Sequence, residues 1–390
     1  MQHVGSAAVR RVNEPAEPPS ARPANSGRLV SKPVSARLRL TTPSAIGTTW
    51  SVGDQAALTS GRAAPRPFAK RRWLVGDDVG VLTVPEVFAV ATRAREGAAG
   101  DEWVEALPAL VAGLLTRWEL EVQGSPLHGY VALVVPVRRP DGRAAMLKVS
   151  WVDEETRVEG VALAMWGGAA AVSLLDCAPE DGALLLERLD PHRSLLEVEE
   201  EHAVALAATL LRQLHVPPPG GLTNVADIAR RWQTTLRPEW ETLGRPGQGD
   251  LVELAIATCA GLAATPGAAR LLHGDYHYGN VLARPSVHAT GSGAAGPQAW
   301  AAIDPKPLVG EGEYDLVPLL RNRWDELART GDAARACRRR LHSIADLAEM
   351  DRERAEQWCL VRSVDDALWA HKHQALDFAA IAWEIAEACH

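Results

Sequence analysis

The chain has 390 residues, enough for two lobes or domains, and its apolar share of 47% is ordinary for a globular protein. A formal charge of -8 disfavours nucleic acid as the main partner and suits a cationic one, and no run of about 18 apolar residues is present to cross a membrane. Five scattered cysteines, odd in number and without a CxxC, argue against a zinc site or a disulfide framework and for a reducing cytoplasm.

Residues 1–72 are rich in Pro, Ala, Ser and Arg and show neither helical nor strand periodicity. Twelve basic against three acidic residues give this stretch +9, which leaves -17 for the rest of the chain. Such a segment cannot bury enough apolar surface to offset the entropy of ordering itself. We read residues 1–78 as an N-terminal extension outside the folded body. It fits a disordered tail, a start codon assigned too far upstream, or a targeting arm.

From about residue 84 the pattern becomes globular. Val84 to Ala94 and Glu102 to Trp118 carry apolar residues at helical spacing, with Pro108 expected to kink or break the second helix. Strand-like runs follow at Glu119–Gln123, Tyr130–Val137 and Ala145–Val149, the last two joined as a hairpin by Arg139-Pro140-Asp141-Gly142. Acid-rich Val152 to Trp166 reads as a helix ended by Gly167-Gly168. Apolar runs at Ala170–Cys177 and Ala183–Leu189 complete an expected five strands and one inserted helix, a lobe over residues 79–189.

After Asp190-Pro191 the periodicity turns mostly helical, at Leu195–His215, Val225–Thr242, Asp250–Ala263, Asp315–Arg323, Ala333–Leu347 and Arg352–Ala388. Short strand-like pieces interrupt it between Leu271 and Ala302, around a Gly/Ala/Ser-rich stretch, Ser286 to Gln298, that reads as a surface insertion. Residues 190–390 thus form a helical lobe with an embedded hairpin. The fold class is α+β: a small antiparallel sheet lobe plus a helical lobe, on a bilobal protein-kinase-like plan.

That embedded region carries the chemistry. His273-Gly274-Asp275-x-His277-x-x-Asn280 precedes a strand, and Ile303-Asp304-Pro305-Lys306 follows the next apolar run. Phosphoryl transfer needs a carboxylate to accept the hydroxyl proton and oxygen ligands for magnesium, with little covalent chemistry besides. Asp275 is the expected base, and Asn280 and Asp304 the expected metal ligands. Upstream, Lys148 alternates with apolar Leu147 and Val149 on a half-buried strand, where a lysine must be paired. Glu159 is its expected partner and Glu155, one turn earlier, the second choice. Gly124 and Ser125 begin a loop placed to cover phosphates, and Glu187 to Leu189 lie where backbone groups would meet a nucleotide base. His273 and His277 are spaced four apart, but without a third ligand they read as braces of the catalytic loop, not as a zinc site.

These motifs, with Tyr314-Asp315-Leu316 and a late Val364-Asp365-Asp366-Ala367-Leu368-Trp369, resemble the aminoglycoside phosphotransferase superfamily. Within it they are similar to the streptomycin 6-phosphotransferase and hydroxyurea kinase group, over roughly residues 82–390. Tyr276 and Tyr278 flank His277 where smaller or aliphatic residues are more usual in the group. The resemblance implies ATP or GTP as donor, Mg2+, and a small-molecule acceptor, with Lys148, Glu159 and Glu187–Leu189 on the nucleotide side. A cationic acceptor of the streptomycin type would find acids at Glu311, Glu313, Asp365 and Asp366. A kinase of hydroxyurea or of another small hydroxylated metabolite, and a non-catalytic nucleotide-binding sensor, are the alternatives.

Overall fold

The structure, a computed structural model, describes residues 82–285 and 296–390; the extension read at residues 1–78 lies outside them, as does most of the Ser286–Gln298 insertion. Two helices, α1 (Glu86–Glu96) and α2 (Ala98–Arg117), lead into strands β1 (Glu121–Val122), β2 (Leu127–His128), β3 (Ala132–Arg138) and β4 (Ala144–Ser150). Helix α3 (Glu154–Trp166) precedes β5 (Leu174–Ala178) and β6 (Ala183–Glu187). The sheet is antiparallel and six-stranded, ordered β1-β3-β4-β6-β5 with β2 also on β3. Period-two alternation explains its two faces. Leu133, Val135, Val137, Leu147 and Val149 are buried against Leu107, Val111 and Leu114 of α2. The residues between them, Val134, Pro136, Met146 and Lys148, line a cavity on the opposite face.

Three expectations change here. Pro108 sits inside an unbroken α2. A helix-interior proline costs about 3 kcal/mol, and the buried stripe of Val104, Leu107, Val111 and Leu114 on both sides of it offsets that. The loop expected from Gly124 to Gly129 contains β2, a strand too short for any periodicity to reveal, so the sheet has one strand more than expected. Ala170 and Ala171 do not extend β5. Instead Ala171 bridges to Ala302 of the second lobe.

That lobe opens with β7 (Asp190–Ser194), a strand not expected from the sequence, and α4 (Glu200–Leu214), α5 (Val225–Thr242) and α6 (Gly249–Ala264). Strands β8 (Arg270–Leu272), β9 (Val281–Ala283), β10 (Trp300–Ala302) and β11 (Leu308–Gly310) follow, then α7 (Val317–Arg321), α8 (Trp324–Ala328), α9 (Ala333–Leu347), α10 (Arg352–Lys372) and α11 (Leu376–Ala388). Two small sheets, β10-β9-β7 and β11-β8, hold the 273–280 segment between them. Arg352–Ala388, read from sequence as one helix, is two, because Gln374 turns the chain in the left-handed region at φ 60°. Helix α10 is buried on most sides, with Trp358, Cys359, Val361, Val364 and Leu368 all inaccessible. Among the described residues no helix is long and apolar enough to cross a membrane.

Candidate active site

Lys148 projects from the central strand β4 into the cleft. Its Nζ meets Glu159 of α3 at 2.7 and 2.8 Å and Asp304 of the other lobe at 2.7 Å. Asp153 fixes the start of α3 through a capping box with Thr156, which sets the turn on which Glu159 faces inward. Glu155 is exposed and takes no part in the pair. Burial alone would depress the lysine, but Asp304 and Glu159 hold its ammonium well above the ordinary range. One ammonium serves two carboxylates, and their shifts diverge. Burial raises the Glu159 carboxyl against the pull of Lys148, whereas at Asp304 the same burial is outweighed by Lys148 and the carboxyl is held low. Asp304 keeps 37% of its side chain exposed, so water helps it carry the charge.

Lys148, Asn280 and Asp304 share a cavity of about 230 Å³ whose apolar lining includes Met146, Leu282 and Ile303. Glu187 and Leu189 line it as well. The Glu187 carboxylate is engaged elsewhere, accepting from Ser173 N at 2.9 Å and from Arg284 at 3.1 Å. The Glu187 backbone nitrogen is engaged too, donating to the Ser173 carbonyl at 3.0 Å. Gly124 and Ser125 are a correction: they are exposed and absent from the lining, which Leu127, His128 and Gly129 supply through β2. Strand β2 pairs with β3 in antiparallel register and brings that later part of the loop over the cleft.

The 273–280 loop leaves β8 through Gly274, whose φ of +78° and close approach both require glycine: a Cβ there would stand 2.0 Å from the Lys306 carbonyl oxygen. Asp315 braces the loop, accepting from the backbone nitrogens of His273 at 2.8 Å and Gly274 at 2.7 Å and contacting His215 Nε2 at 3.2 Å. Arg362 of α10 donates to the carbonyls of Gly274 at 2.7 Å and Tyr314 at 3.0 Å. His273 lies 3.0 Å from the Ile303 carbonyl through Nε2, and its Nδ1 accepts from Asp275 N at 3.3 Å. These partners assign the proton to Nε2, and burial favours that neutral ring.

Within this brace Asp275 is 1% exposed, and neither carboxylate oxygen has a hydrogen-bond partner among the described residues. Lys306 Nζ is 3.6 Å from one oxygen and Arg321 Nη2 3.9 Å from the other. Burial would raise this carboxyl, but Lys306, His277, Arg321 and Arg362 hold it well below the usual range. An unbonded, ionised, desolvated carboxylate is suited to accept a proton from an incoming hydroxyl. Asn280 Nδ2 donates to the Asp275 carbonyl at 3.1 Å, which leaves its side-chain oxygen as the remaining acceptor. His277 departs from the bracing expectation: both ring nitrogens are buried without partners among the described residues, and burial lowers its pKa to about 4.

The four acids expected to meet a cationic acceptor fare differently. Glu311 is buried, accepting from Trp358 Nε1 at 2.6 Å, from Arg354 and from Gly267 N, so it fastens a loop to α10. Glu313 accepts from Asp351 N at 3.1 Å. Both line a different cavity, of about 520 Å³, that shares no residue with the Lys148 cleft. Asp366 binds Arg321 at 3.0 Å, and Arg321 in turn neighbours Asp275. Asp365 is half-buried, its carboxyl pushed up to about 7 by burial and by nearby Asp366 and Glu239. Neither lies on a solvated helix face, and the two glutamates are withdrawn as acceptor contacts.

Sequence reasoning missed Lys306, Arg321, Arg362 and Arg284. Arg284 donates to the carbonyls of Gly168, Ala171, Gln298 and Trp300 as well as to Glu187, at 2.7 to 3.1 Å. The one available signal was charge inside apolar sequence, as in Leu319-Leu320-Arg321 and Leu360-Val361-Arg362.

Comparison with known proteins shows the family. The family described as aminoglycoside/hydroxyurea antibiotic resistance kinase matches residues 117–373. The streptomycin 6-kinase of Streptomyces glaucescens is 38% identical over 305 residues, 77% of this chain and 95% of that protein. That of Streptomyces griseus is 39% identical over 290 residues, 74% of this chain and 91% of that one. The hydroxyurea phosphotransferase of Kitasatospora aureofaciens is 39% identical over 310 residues, 78% and 84% of the two chains. On this family match and these relatives, the chain belongs to the family of aminoglycoside/hydroxyurea antibiotic resistance kinases and is a small-molecule phosphotransferase.

Proposed function

We propose that this enzyme transfers the γ-phosphate of ATP, bound with magnesium, to a ring hydroxyl of a streptomycin-type aminoglycoside. The observation that carries the reading is the Asp275 carboxylate, buried and unbonded on both oxygens among the described residues, on a loop braced by Asp315 and Arg362. In this reading Lys148, oriented by Glu159, aligns the donor phosphates, and the Glu187–Leu189 backbone contacts the base. Asp275 accepts the hydroxyl proton as the acceptor oxygen bonds to phosphorus and ADP leaves with the electron pair of the broken bond.

Asp304 and Asn280 fit a hard cation, since they bring one carboxylate and one amide oxygen to the same cavity. When bound, the cation neutralises phosphate charge as a Lewis acid. Support for a cationic acceptor comes from the -17 of the chain beyond residue 72 and from a cavity of about 300 Å³ beside Asp304. Asp153, Glu155 and Trp369 line that cavity and suit a guanidinium, whereas Glu96 and the face of Tyr130 are already taken by Arg95.

Hydroxyurea is the second reading. It is favoured by the relative of that activity and by the withdrawal of Glu311 and Glu313 from the cleft. Incubation with γ-labelled ATP and each acceptor separates the two. Labelled streptomycin is expected, with kcat/KM declining clearly as ionic strength rises. Good turnover of hydroxyurea with no labelled streptomycin would overturn the acceptor, and no transfer to either by the folded protein would overturn both readings.

A further inference from the structure

The two cations beside Asp275 differ in kind. Arg321 is anchored: it donates to Asp366, and only 7% of its side chain is exposed. Lys306 has a fixed stem and a free end. Its backbone nitrogen donates to the His273 carbonyl at 2.8 Å, and its carbonyl oxygen packs against Gly274. Its ammonium lies 3.6 Å from Asp275, beyond a normal hydrogen bond, with 37% of the side chain exposed. It lines the 300 Å³ cavity next to Asp304, and the charges facing it are Asp275, Asp304, Glu155 of α3 and Arg362 of α10.

We propose that Lys306 is a catalytic residue whose ammonium swings from Asp275 to the oxygens of the phosphoryl group in transfer. This rests on the reading of Asp275 as the base. The transferring phosphoryl passes through a loose transition state with charge spread over its three equatorial oxygens, and a positioned cation there stabilises that state over the ground state. The bond from the γ-phosphorus to the bridging oxygen breaks and the bond to the acceptor oxygen forms. The hydroxyl proton goes to Asp275, and Lys306 neither gains nor loses one. Its swing also clears the approach of the hydroxyl to the carboxylate. A plain counter-ion for Asp275 would need neither the exposure nor the reach.

The test uses the full chain and two readouts. Lys306→Ala should lower kcat about 10²-fold while the KM for ATP changes less than about threefold, and ethylammonium in the buffer should restore about tenfold of the loss. Lys306→Arg, which keeps the charge, should retain more activity than Lys306→Ala at an equal melting temperature. Slow hydrolysis of ATP to water needs no acceptor, so it tests Lys306 even if the acceptor has been misassigned. Adding Lys306→Ala to Asp275→Asn should slow that hydrolysis by a further factor of about ten. A double variant as fast as Asp275→Asn alone would reduce Lys306 to a counter-ion and overturn the proposal, as would a kcat for Lys306→Ala within about threefold of the parent's. Near-normal turnover by Asp275→Asn would instead strike at the base assignment, and the loss in Lys306→Ala would still stand.

Discussion

At the residue scale we propose that a single carboxylate, Asp275, sets the chemistry. Asp275→Asn should preserve ATP binding and lower kcat by about 10²-fold or more, because an amide cannot accept the hydroxyl proton. Steady-state rates beside a nucleotide-binding titration check this, and near-normal turnover would remove Asp275 from the role. The proposed oxygen ligands give an independent measurement. Asp304→Ala should abolish activity at ordinary magnesium, whereas Asn280→Ala should be partly relieved by excess metal, since a charged ligand contributes more to a hard cation than a neutral one. Metal titrations that overlay the parent curve would contradict both assignments. The segment from His273 to Asn280 was legible in sequence because its residues are contiguous and their spacing is chemical. Lys306 and Arg321 were not, because what matters is their distance from Asp275, 3.6 and 3.9 Å, and that is set by how β11 and α7 return to the loop.

At the scale of elements, long periodic segments were readable and short or irregular ones were not. Helices α5 and α9 run Val225–Thr242 and Ala333–Leu347, matching the apolar stripes read in sequence. Strands β2 and β7 escaped because pairing across the fold defines them, not periodicity. Helix α10 also carries a pH-dependent cost at Asp365. Its folded carboxyl sits at about 7, above its ordinary value of 3.8, so the native state favours the proton. Stability is therefore fullest below the unfolded value and is lost as pH rises through about 7. Asp365→Asn should stabilise the protein at pH near 8 by about 2 kcal/mol, less than the full shift implies because the half-buried carboxyl keeps some water, and should change little at pH near 4. Urea unfolding at the two pH values measures it. Equal midpoints at the higher pH would mean that this carboxyl is well solvated after all.

For the whole molecule, we propose that the lobes divide between residues 189 and 190, where β6 ends in the first sheet and β7 joins β9 in the second lobe. Several polar contacts span that division: the ion pair of Lys148 with Asp304, the backbone bonds of Ala170 and Val172 with Ala302, and the bond from Trp166 Nε1 to the Leu214 carbonyl. Among them Arg284, next to β9, reaches the most acceptors, gripping Glu187 and the carbonyls of Gly168 and Ala171. The Arg284 bridge bears on how the protein melts. A planar guanidinium satisfying carbonyls of both lobes makes the loosening of either lobe expose unpaired polar groups in the other, and so couples their unfolding. The chain should therefore denature in one calorimetric transition. Arg284→Ala should split it into two, and Arg284→Lys should not mend it, since a lysine ammonium lacks the fork that reaches several acceptors at once. A single undivided endotherm in Arg284→Ala would show that the cooperativity resides elsewhere. If the split appears, one side chain decides whether this kinase comes apart as one body or as two.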